Sequence, residues 1–237
     1  MSKPFDALVL GAHPDDAEIG CAGTILGLID AGRRVAIADM TRGEMGTRGS
    51  VEQRAVECER ATKLLGVQDR RNLGFPDAGL RDSDEAVQTV VGLIRELRPR
   101  LFLVPLKRDV HPDHEATARI AKRAFFHAGL KNFHAELGAA HRPVFMLHYL
   151  GNDHQEPSLC LDISSMVERK HEVVTCYSSQ VSGSDKGHFL RGLDPLERTE
   201  ARDRYFGAIC GFRAAEAFVI DGPLPLVDLS SVLPANS

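Results

Sequence analysis

Short apolar segments alternate with helix-like segments four times between residues 5 and 128 of this chain. The helix-like segments place apolar residues three or four positions apart, which is the spacing of a helix with one buried face. Such alternation predicts parallel strands joined by helices that cover both faces of one sheet. We predict strands at 5–12, 34–40, 71–73 and 101–105, and helices at 18–31, 52–65, 84–97 and 115–128.

The rest of the chain is less regular. It predicts strands at 144–150, 158–163 and 217–220, and helices at 164–177, with Ser164 as N-cap, and 196–209. The Ser/Gly-rich stretch 178–187 is a candidate mobile loop. Because 237 residues contain no linker or repeat, we expect an α/β fold: a single three-layer Rossmann-like domain over 1–237 with a mostly parallel sheet. Its core spans about 5–220, and its irregular C-terminal third closes over the site.

Composition and charge exclude several classes of protein. The net charge of −4 argues against a dedicated nucleic-acid-binding protein. No uncharged apolar stretch approaches the roughly 18 residues that a membrane-spanning helix needs. The first residues lack the apolar segment of a signal peptide, and the five cysteines include no CxxC spacing. We therefore expect a cytoplasmic protein with reduced thiols, no membrane association and no nucleic-acid partner.

Two His-Pro-Asp tetrads occur where an open parallel sheet binds its ligands, beyond the carboxyl ends of its strands. His13-Pro14-Asp15-Asp16 follows the first predicted strand, and His111-Pro112-Asp113-His114 lies between the fourth strand and the fourth helix. The Gly-rich phosphate loop of dinucleotide-binding proteins is absent from the first turn. A purely structural role, such as an N-cap carboxylate, suits one of these residues but does not account for three histidines and three aspartates at one rim.

Metal binding explains the tetrads better. Catalytic zinc sites use three protein ligands and leave one position open for water, and His13, Asp16 and His114 provide two histidines and one carboxylate. The same ligand types also suit non-haem Fe(II) oxygenases. A metal-binding module without catalysis is the alternative from a different class of function.

Three further residues of the tetrads are then free for chemistry. A carboxylate beside the metal is a natural general base, which is the role expected for Asp15. A protonated His111 would stabilise a developing oxyanion. We expect Asp113 to hold the His111 ring and to raise its basicity.

The tetrads, with Gly20 and Gly23-Thr24 after the first, resemble the signature of the LmbE/PIG-L family of zinc-dependent N-deacetylases. The resemblance covers nearly the whole chain, from about residue 5 to 220. Four further segments are similar to the bacillithiol-biosynthesis deacetylase branch of that family: 41–49, 72–77, 177–180 and 200–207.

The resemblance implies hydrolysis of the acetamide of an N-acetylglucosaminide, with N-acetylglucosaminyl malate as the substrate that the branch indicates. Free N-acetylglucosamine, short chitooligosaccharides and other thiol-pathway glycosides remain alternatives. It also implies one Zn²⁺ per chain, a small-molecule partner and assembly into a homo-oligomer. By the family motif, the implied residues are the ligands His13, Asp16 and His114, the base Asp15, the pair His111 and Asp113, and the substrate-binding residues Arg54, Arg108 and Gln180.

Two departures from the branch concern substrate choice. Val110 precedes the second tetrad where the branch predicts a basic residue, and the segment 182–194 fits no pattern of the family. We expect this segment to shape the choice of substrate.

Overall fold

The computed structural model describes residues 3–153, 155–181 and 194–224. The strands in these residues are β1 Ala7–Gly11, β2 Val35–Thr41, β3 Asp69–Phe75, β4 Leu101–Pro105, β5 Phe145–Tyr149, β6 Leu159–Asp162 and β7 Ala215–Ile220. The helices are α1 Asp16–Asp30, α2 Val51–Leu65, α3 Asp84–Leu97, α4 Pro112–His127, α5 Val167–Thr175, α6 Ser178–Val181 and α7 Pro195–Cys210. Short 3₁₀ turns lie at Ala135–Leu137 and Ser164–Met166.

The strands form one seven-stranded sheet in the order β3-β2-β1-β4-β5-β7-β6. The five strands from β3 to β5 are parallel, and β7 runs antiparallel to both of its neighbours. The predicted α/β fold with a mostly parallel sheet is therefore confirmed. In the described part of the chain, none of the helices is long and apolar enough to cross a bilayer.

Alternate residues of the central strands supply the two halves of the core. Leu8 and Leu10 pack with α3 and α4 on one face, and Ala7 and Val9 pack with α1, α2 and α5 on the other. This division follows from the two-residue period of a strand. It explains why buried parallel strands are apolar throughout rather than alternating in polarity.

Several predicted boundaries were accurate because capping residues mark them. Ser83 accepts a hydrogen bond from the Ala86 N–H and begins α3, which matches the predicted range. Gly66 ends α2 in the left-handed conformation. At α7, Asp194 and Glu197 form a capping box.

Other predicted boundaries were wrong. Helix α4 begins three residues earlier than expected, because His111 caps it and Pro112 occupies its first turn. Ser164 does not cap α5: it opens the 3₁₀ turn, and its hydroxyl donates to Asp162 instead. Residues 178–181 form the short helix α6 rather than a loop, and the rest of the predicted loop lies outside the described residues.

The sheet has a switch point between β1 and β4. The chain passes from β1 outward through β2 to β3, then returns to add β4 on the opposite side of β1. The loops that follow β1 and β4 consequently diverge and leave a crevice at their carboxyl ends. These two loops carry the two His-Pro-Asp tetrads.

A buried carboxylate joins the antiparallel strand β7 to a kink in α1. Helix α1 departs from helical geometry at Cys21, so the N–H groups of the following turn need other acceptors. Glu216 accepts from the Gly23 and Thr24 N–H groups at 2.8 and 2.7 Å, and also binds Lys170 at 2.7 Å. A Cβ on Gly23 would come within 2.6 Å of a neighbouring side chain, so this close approach requires glycine.

We expect Glu216→Ala to lower the free energy of unfolding by about 3 to 5 kcal/mol, because it removes one partner from a buried charged network. Urea denaturation measures the change. The matched control is Glu168→Ala, which removes an exposed carboxylate paired with Arg213 and should leave the midpoint unchanged. Equal midpoints for the two variants would contradict the assigned role of Glu216.

Candidate active site

The turn after β1 is held in an unusual backbone conformation. Asp15 has a backbone φ of 123°, which residues other than glycine rarely adopt. The Asp16 carboxylate accepts hydrogen bonds from the Ala12 and His13 N–H groups at 2.8 and 2.9 Å, so it stabilises the turn rather than capping α1. Asp15 forms no side-chain cap either. A helix-capping role for these two aspartates is therefore not what the structure shows, and strain of this kind concentrates at functional sites.

The second tetrad forms the first turn of α4. His111 is the N-cap, and its Nδ1 accepts a hydrogen bond from the Asp113 N–H at 3.3 Å. His114 follows within the same turn. The rings of the three histidines lie close together: the centroid of His13 is 4.7 Å from that of His111 and 5.5 Å from that of His114, and the latter two are 4.9 Å apart. The fold thus brings together histidines that are about 100 residues apart in sequence, as the parallel-sheet argument predicted.

The two ring nitrogens of His13 face different carboxylates. Nδ1 lies 3.6 Å from Asp16 Oδ2, while Nε2 lies 3.0 Å from Asp77 Oδ1 and 3.5 Å from Asp113 Oδ2. Histidines that bind metals almost always direct the second ring nitrogen to a carboxylate or carbonyl group. Asp77 and Asp113 would provide that support if Nδ1 were the ligand atom.

His114 has a matching arrangement. Its Nε2 lies 3.2 Å from Asp16 Oδ1, and its Nδ1 lies 3.2 Å from Asp109 Oδ2, outside hydrogen-bond alignment. Asp109 also accepts hydrogen bonds from the His111 and Asn152 N–H groups. Both Asp16 oxygens therefore face a histidine, and each histidine has a second carboxylate behind it.

The donor set fits a divalent cation. Burial lowers the pKa of His13, but Asp113, Asp16 and Asp77 outweigh this and raise it well above its usual value. At His114 burial again lowers the pKa, and Asp16 and Asp109 raise it to about 10. This buried, acidic environment favours positive charge at both rings, which a bound metal ion would supply.

Among the described residues, two groups of three side chains could hold a metal ion, and within each group the ligand atoms lie within 4.8 Å of one another. The groups are His13, His111 and His114, and His13, Asp77 and Asp113. The predicted set replaces His111 with Asp16. Since Asp16 lies between the two histidine nitrogens, that set remains our assignment, and it stays a prediction that metal analysis of variants can decide.

Asp15 is buried beside the predicted ligands and pairs with an arginine. Arg54 Nη2 lies 2.9 Å from Asp15 Oδ2, and the same guanidinium donates to the Pro14 and Gly43 carbonyls. Burial raises the pKa of Asp15 to about 6, and Arg54 opposes the rise. Arg54 therefore holds Asp15 and the loop, whereas we expected it to contact a substrate carboxylate, and that expectation stays untested.

The His111–Asp113 pair differs from the predicted arrangement. The Asp113 carboxylate accepts from the Ala78 N–H at 2.8 Å and faces His13, so Asp113 contacts His111 through its backbone N–H alone. Burial lowers the pKa of His111, and the neighbouring His13 lowers it further. The prediction that Asp113 holds the ring through its carboxylate is therefore wrong, because that carboxylate supports His13. Asp113 does raise the pKa of His111, as predicted, but burial, His13 and His114 outweigh it.

The three histidines, with Asp16 and Asp77, line one open cleft of about 670 Å³, which we call the catalytic cleft. Its walls include Asp15, His111, Arg54 and Gln180. The side-chain amide of Gln180 donates to the Arg48 carbonyl at 3.0 Å, so the glutamine also holds a loop at the rim. Arg108 pairs with Asp153 at 2.7 Å, is largely exposed and does not line the cleft.

Sequence reasoning missed two residues of the site. Asp77 faces His13 and also accepts from the Met45 N–H, and Asp109 faces His114. Asp109 stands two residues before His111, so its place beside the tetrad was visible in the sequence. Asp77 is far from both tetrads in sequence, and only its position within the segment 72–77 drew attention to it. Residues 182–193, expected to shape substrate choice, lie outside the described residues.

The chain is similar to known proteins over most of its length. Residues 8–125 match the family PIG-L, described as GlcNAc-PI de-N-acetylase. A diacetylchitobiose deacetylase of Thermococcus kodakarensis is 32% identical over 91% of this chain and 84% of its own length. A probable N-acetyl-alpha-D-glucosaminyl L-malate deacetylase 2 of Bacillus anthracis is 29% identical over 76% of this chain and 83% of its own. The crystal structure of a conserved protein from Thermus thermophilus superposes with a TM-score of 0.84 and 38% identity, covering 95% of this chain and 98% of that one.

Proposed function

The chain belongs to the PIG-L family of de-N-acetylases, and on that premise we propose that it hydrolyses the acetamide of an N-acetylglucosaminide to acetate and a free amine. The observation that carries this proposal is the cluster of His13, Asp16 and His114 with the Asp15 carboxylate beside it in one cleft. A small N-acetylated sugar fits a cleft of about 670 Å³.

We assign the metal site to His13, Asp16 and His114, with one Zn²⁺ per chain. When bound, zinc would supply a Lewis acid for the amide carbonyl and lower the pKa of the attacking water. Asp77, Asp113 and Asp109 orient the two histidine rings from behind.

The side chains of the cleft perform the proton transfers. Asp15 takes a proton from the attacking water, and Arg54 holds its carboxylate at 2.9 Å in the required position. His111 faces the same space and stabilises the negative charge that develops on the amide oxygen. Asp15 or His111 then passes a proton to the leaving amine.

The specific substrate that we propose is N-acetylglucosaminyl malate. The similarity to the Bacillus anthracis protein supports it, and the similarity to the diacetylchitobiose deacetylase makes a chitobiose-type substrate the second candidate. Homo-oligomerisation and a cytoplasmic location stay predictions, and light scattering at micromolar protein concentration tests the first.

The deciding experiment measures free-amine and acetate release from N-acetylglucosaminyl malate, N,N'-diacetylchitobiose, N-acetylglucosamine and its methyl glycoside. We expect zinc-loaded protein to release acetate from at least one of them. Element analysis identifies the metal that the purified protein carries. Inertness toward every N-acetyl sugar would reject the proposal, and O₂ uptake with a 2-oxoacid in an iron-containing protein would instead support the oxygenase alternative.

A further inference from the structure

A second cavity of about 300 Å³ lies beside the catalytic cleft. It shares Ile19, Asn152 and Pro195 with the cleft, so a ligand bound at the reaction centre can extend directly into it. We call it the side cavity. Its other walls come from the loop after β5 and from α7, which contribute Leu150, Arg198, Arg202 and Phe206 among others. Its volume suits one substituent of a small molecule.

Two arginines of α7 line the side cavity, and they are used differently. Arg202 donates to the Leu150 and Ile19 carbonyls and contacts the Asp203 carboxylate at 3.2 Å. Its guanidinium is therefore engaged in holding α7 against the loop after β5. Among the residues that the structure describes, Arg198 donates only to Asn152, through Nη1 to the side-chain oxygen and through Nη2 to the carbonyl.

Within the described residues, the positive charge of Arg198 has no carboxylate in direct contact. A guanidinium has five N–H donors. Asn152 accepts one hydrogen bond from Nη1 and one from Nη2 of Arg198, and among the described residues the Nε–H has no partner. In residues 3–153, 155–181 and 194–224, no carboxylate lies within 4.0 Å of Arg198. The group is half-buried, and burial and the neighbouring Arg202 lower its pKa by more than Asp109 and Asp153 raise it. Asp153 also lines the side cavity, where it pairs with Arg108. An anionic ligand group in the cavity would relieve this unfavourable charge.

The position of Arg198 relates the side cavity to the reaction centre. Its partner Asn152 donates its backbone N–H to Asp109 at 3.0 Å, and Asp109 faces His114. Arg198 is thus separated from a predicted metal ligand by two residues in contact. An N-acetylglucosaminide carries its aglycone on C1, next to the C2 acetamide, so with the acetamide at the metal site the aglycone can extend into the adjoining side cavity that Arg198 lines.

We propose that the side cavity holds the aglycone of the substrate and that Arg198 binds a carboxylate on it, which makes anionic N-acetylglucosaminides the preferred substrate class. This inference rests on the deacetylase function proposed above. A planar guanidinium binds a carboxylate through two parallel hydrogen bonds, so it selects by geometry as well as by charge. A neutral sugar in the same cavity would leave the charge of Arg198 unpaired.

The test compares Arg198→Gln, Arg198→Lys and wild type on N-acetylglucosaminyl malate and on the neutral methyl N-acetylglucosaminide. We expect Arg198→Gln to raise KM for the malate glycoside about 10- to 100-fold, the usual effect of losing a charged hydrogen bond, with kcat little changed. KM for the methyl glycoside should stay unchanged, and Arg198→Lys should recover part of the loss. Arg204→Gln, on the same helix but outside both cavities, is the matched control. Calorimetric binding of the malate glycoside gives a second readout that does not need turnover.

The outcomes separate the two proposals. Unchanged kinetics and binding of the malate glycoside in Arg198→Gln would overturn the role of Arg198 while leaving the deacetylase function intact. An equal loss on both glycosides would also overturn it, because it would indicate a structural effect transmitted through Asn152. If wild type hydrolyses neither glycoside but binds the malate glycoside in an Arg198-dependent way, the proposed function fails and the anion site stands.

Discussion

Replacing Asp15 by asparagine is expected to lower kcat about 10²- to 10⁴-fold, which is the usual contribution of a positioned acid–base group. The carboxylate lies in the catalytic cleft, held by Arg54 at 2.9 Å, and an amide cannot accept the proton of the attacking water. Asparagine is the better substitution here than alanine, because the φ of 123° at this position is tolerated more readily by asparagine. Acetate release and bound metal should be measured on the same preparation.

The control for this variant is Asp82→Asn, which removes an exposed carboxylate that pairs with Arg123. It should keep wild-type turnover. Asp15→Asn should retain its full metal content, because Asp15 is not among the proposed ligands. Near-wild-type turnover in Asp15→Asn with metal bound would refute the assignment of the base.

The second large effect concerns the metal. Alanine at His13, Asp16 or His114 is expected to reduce bound metal from about one equivalent per chain to a small fraction of an equivalent, because each change removes one of only three protein ligands. Activity should fall below detection in parallel. Element analysis after dialysis provides the measurement, and the shift in melting temperature on adding Zn²⁺ provides a readout that is independent of activity.

His111→Ala distinguishes between the possible ligand sets. The rings of His13, His111 and His114 lie close enough to hold a metal without Asp16. Under our assignment His111→Ala keeps its metal and Asp16→Ala loses it. The reverse pattern would replace Asp16 by His111 in the ligand set, and full retention in all of the ligand variants would remove the site altogether.

Local sequence signals determined the elements of the first half of the fold. The helix Asp84–Leu97 was predicted at its observed limits, and the structure shows that Ser83 caps its start. Pro99 lies just beyond its end, where it prevents continuation. The strand Leu101–Pro105 was equally clear, since a buried parallel strand is an uninterrupted apolar run. Helix α4 was placed too late because its cap is a histidine, which is not among the residues that usually signal a helix start.

The sequence also predicted that the two tetrads lie at one edge of the sheet. Each follows a strand of a predicted parallel sheet, and the carboxyl ends of such strands share one edge. The pairing of β1 with β4, which brings His13 and His114 together, came from the structure. The identities of the side chains then restricted the chemistry to a metal site with a free carboxylate.

Only the tertiary structure decided which carboxylate serves which group. Asp113 was assigned to His111 because they are close in sequence, yet its side chain faces His13. Asp77 reaches the site, and Arg198 the side cavity next to it, from segments far from either tetrad, and no pattern of spacing encodes contacts of that kind. The antiparallel strand β7, which inserts between β5 and β6 and places Glu216 beneath α1, is another such long-range result. The physical reason is the same in each case: hydrogen bonding and capping act over a few residues, whereas the direction of a side chain at the site depends on how distant elements pack together.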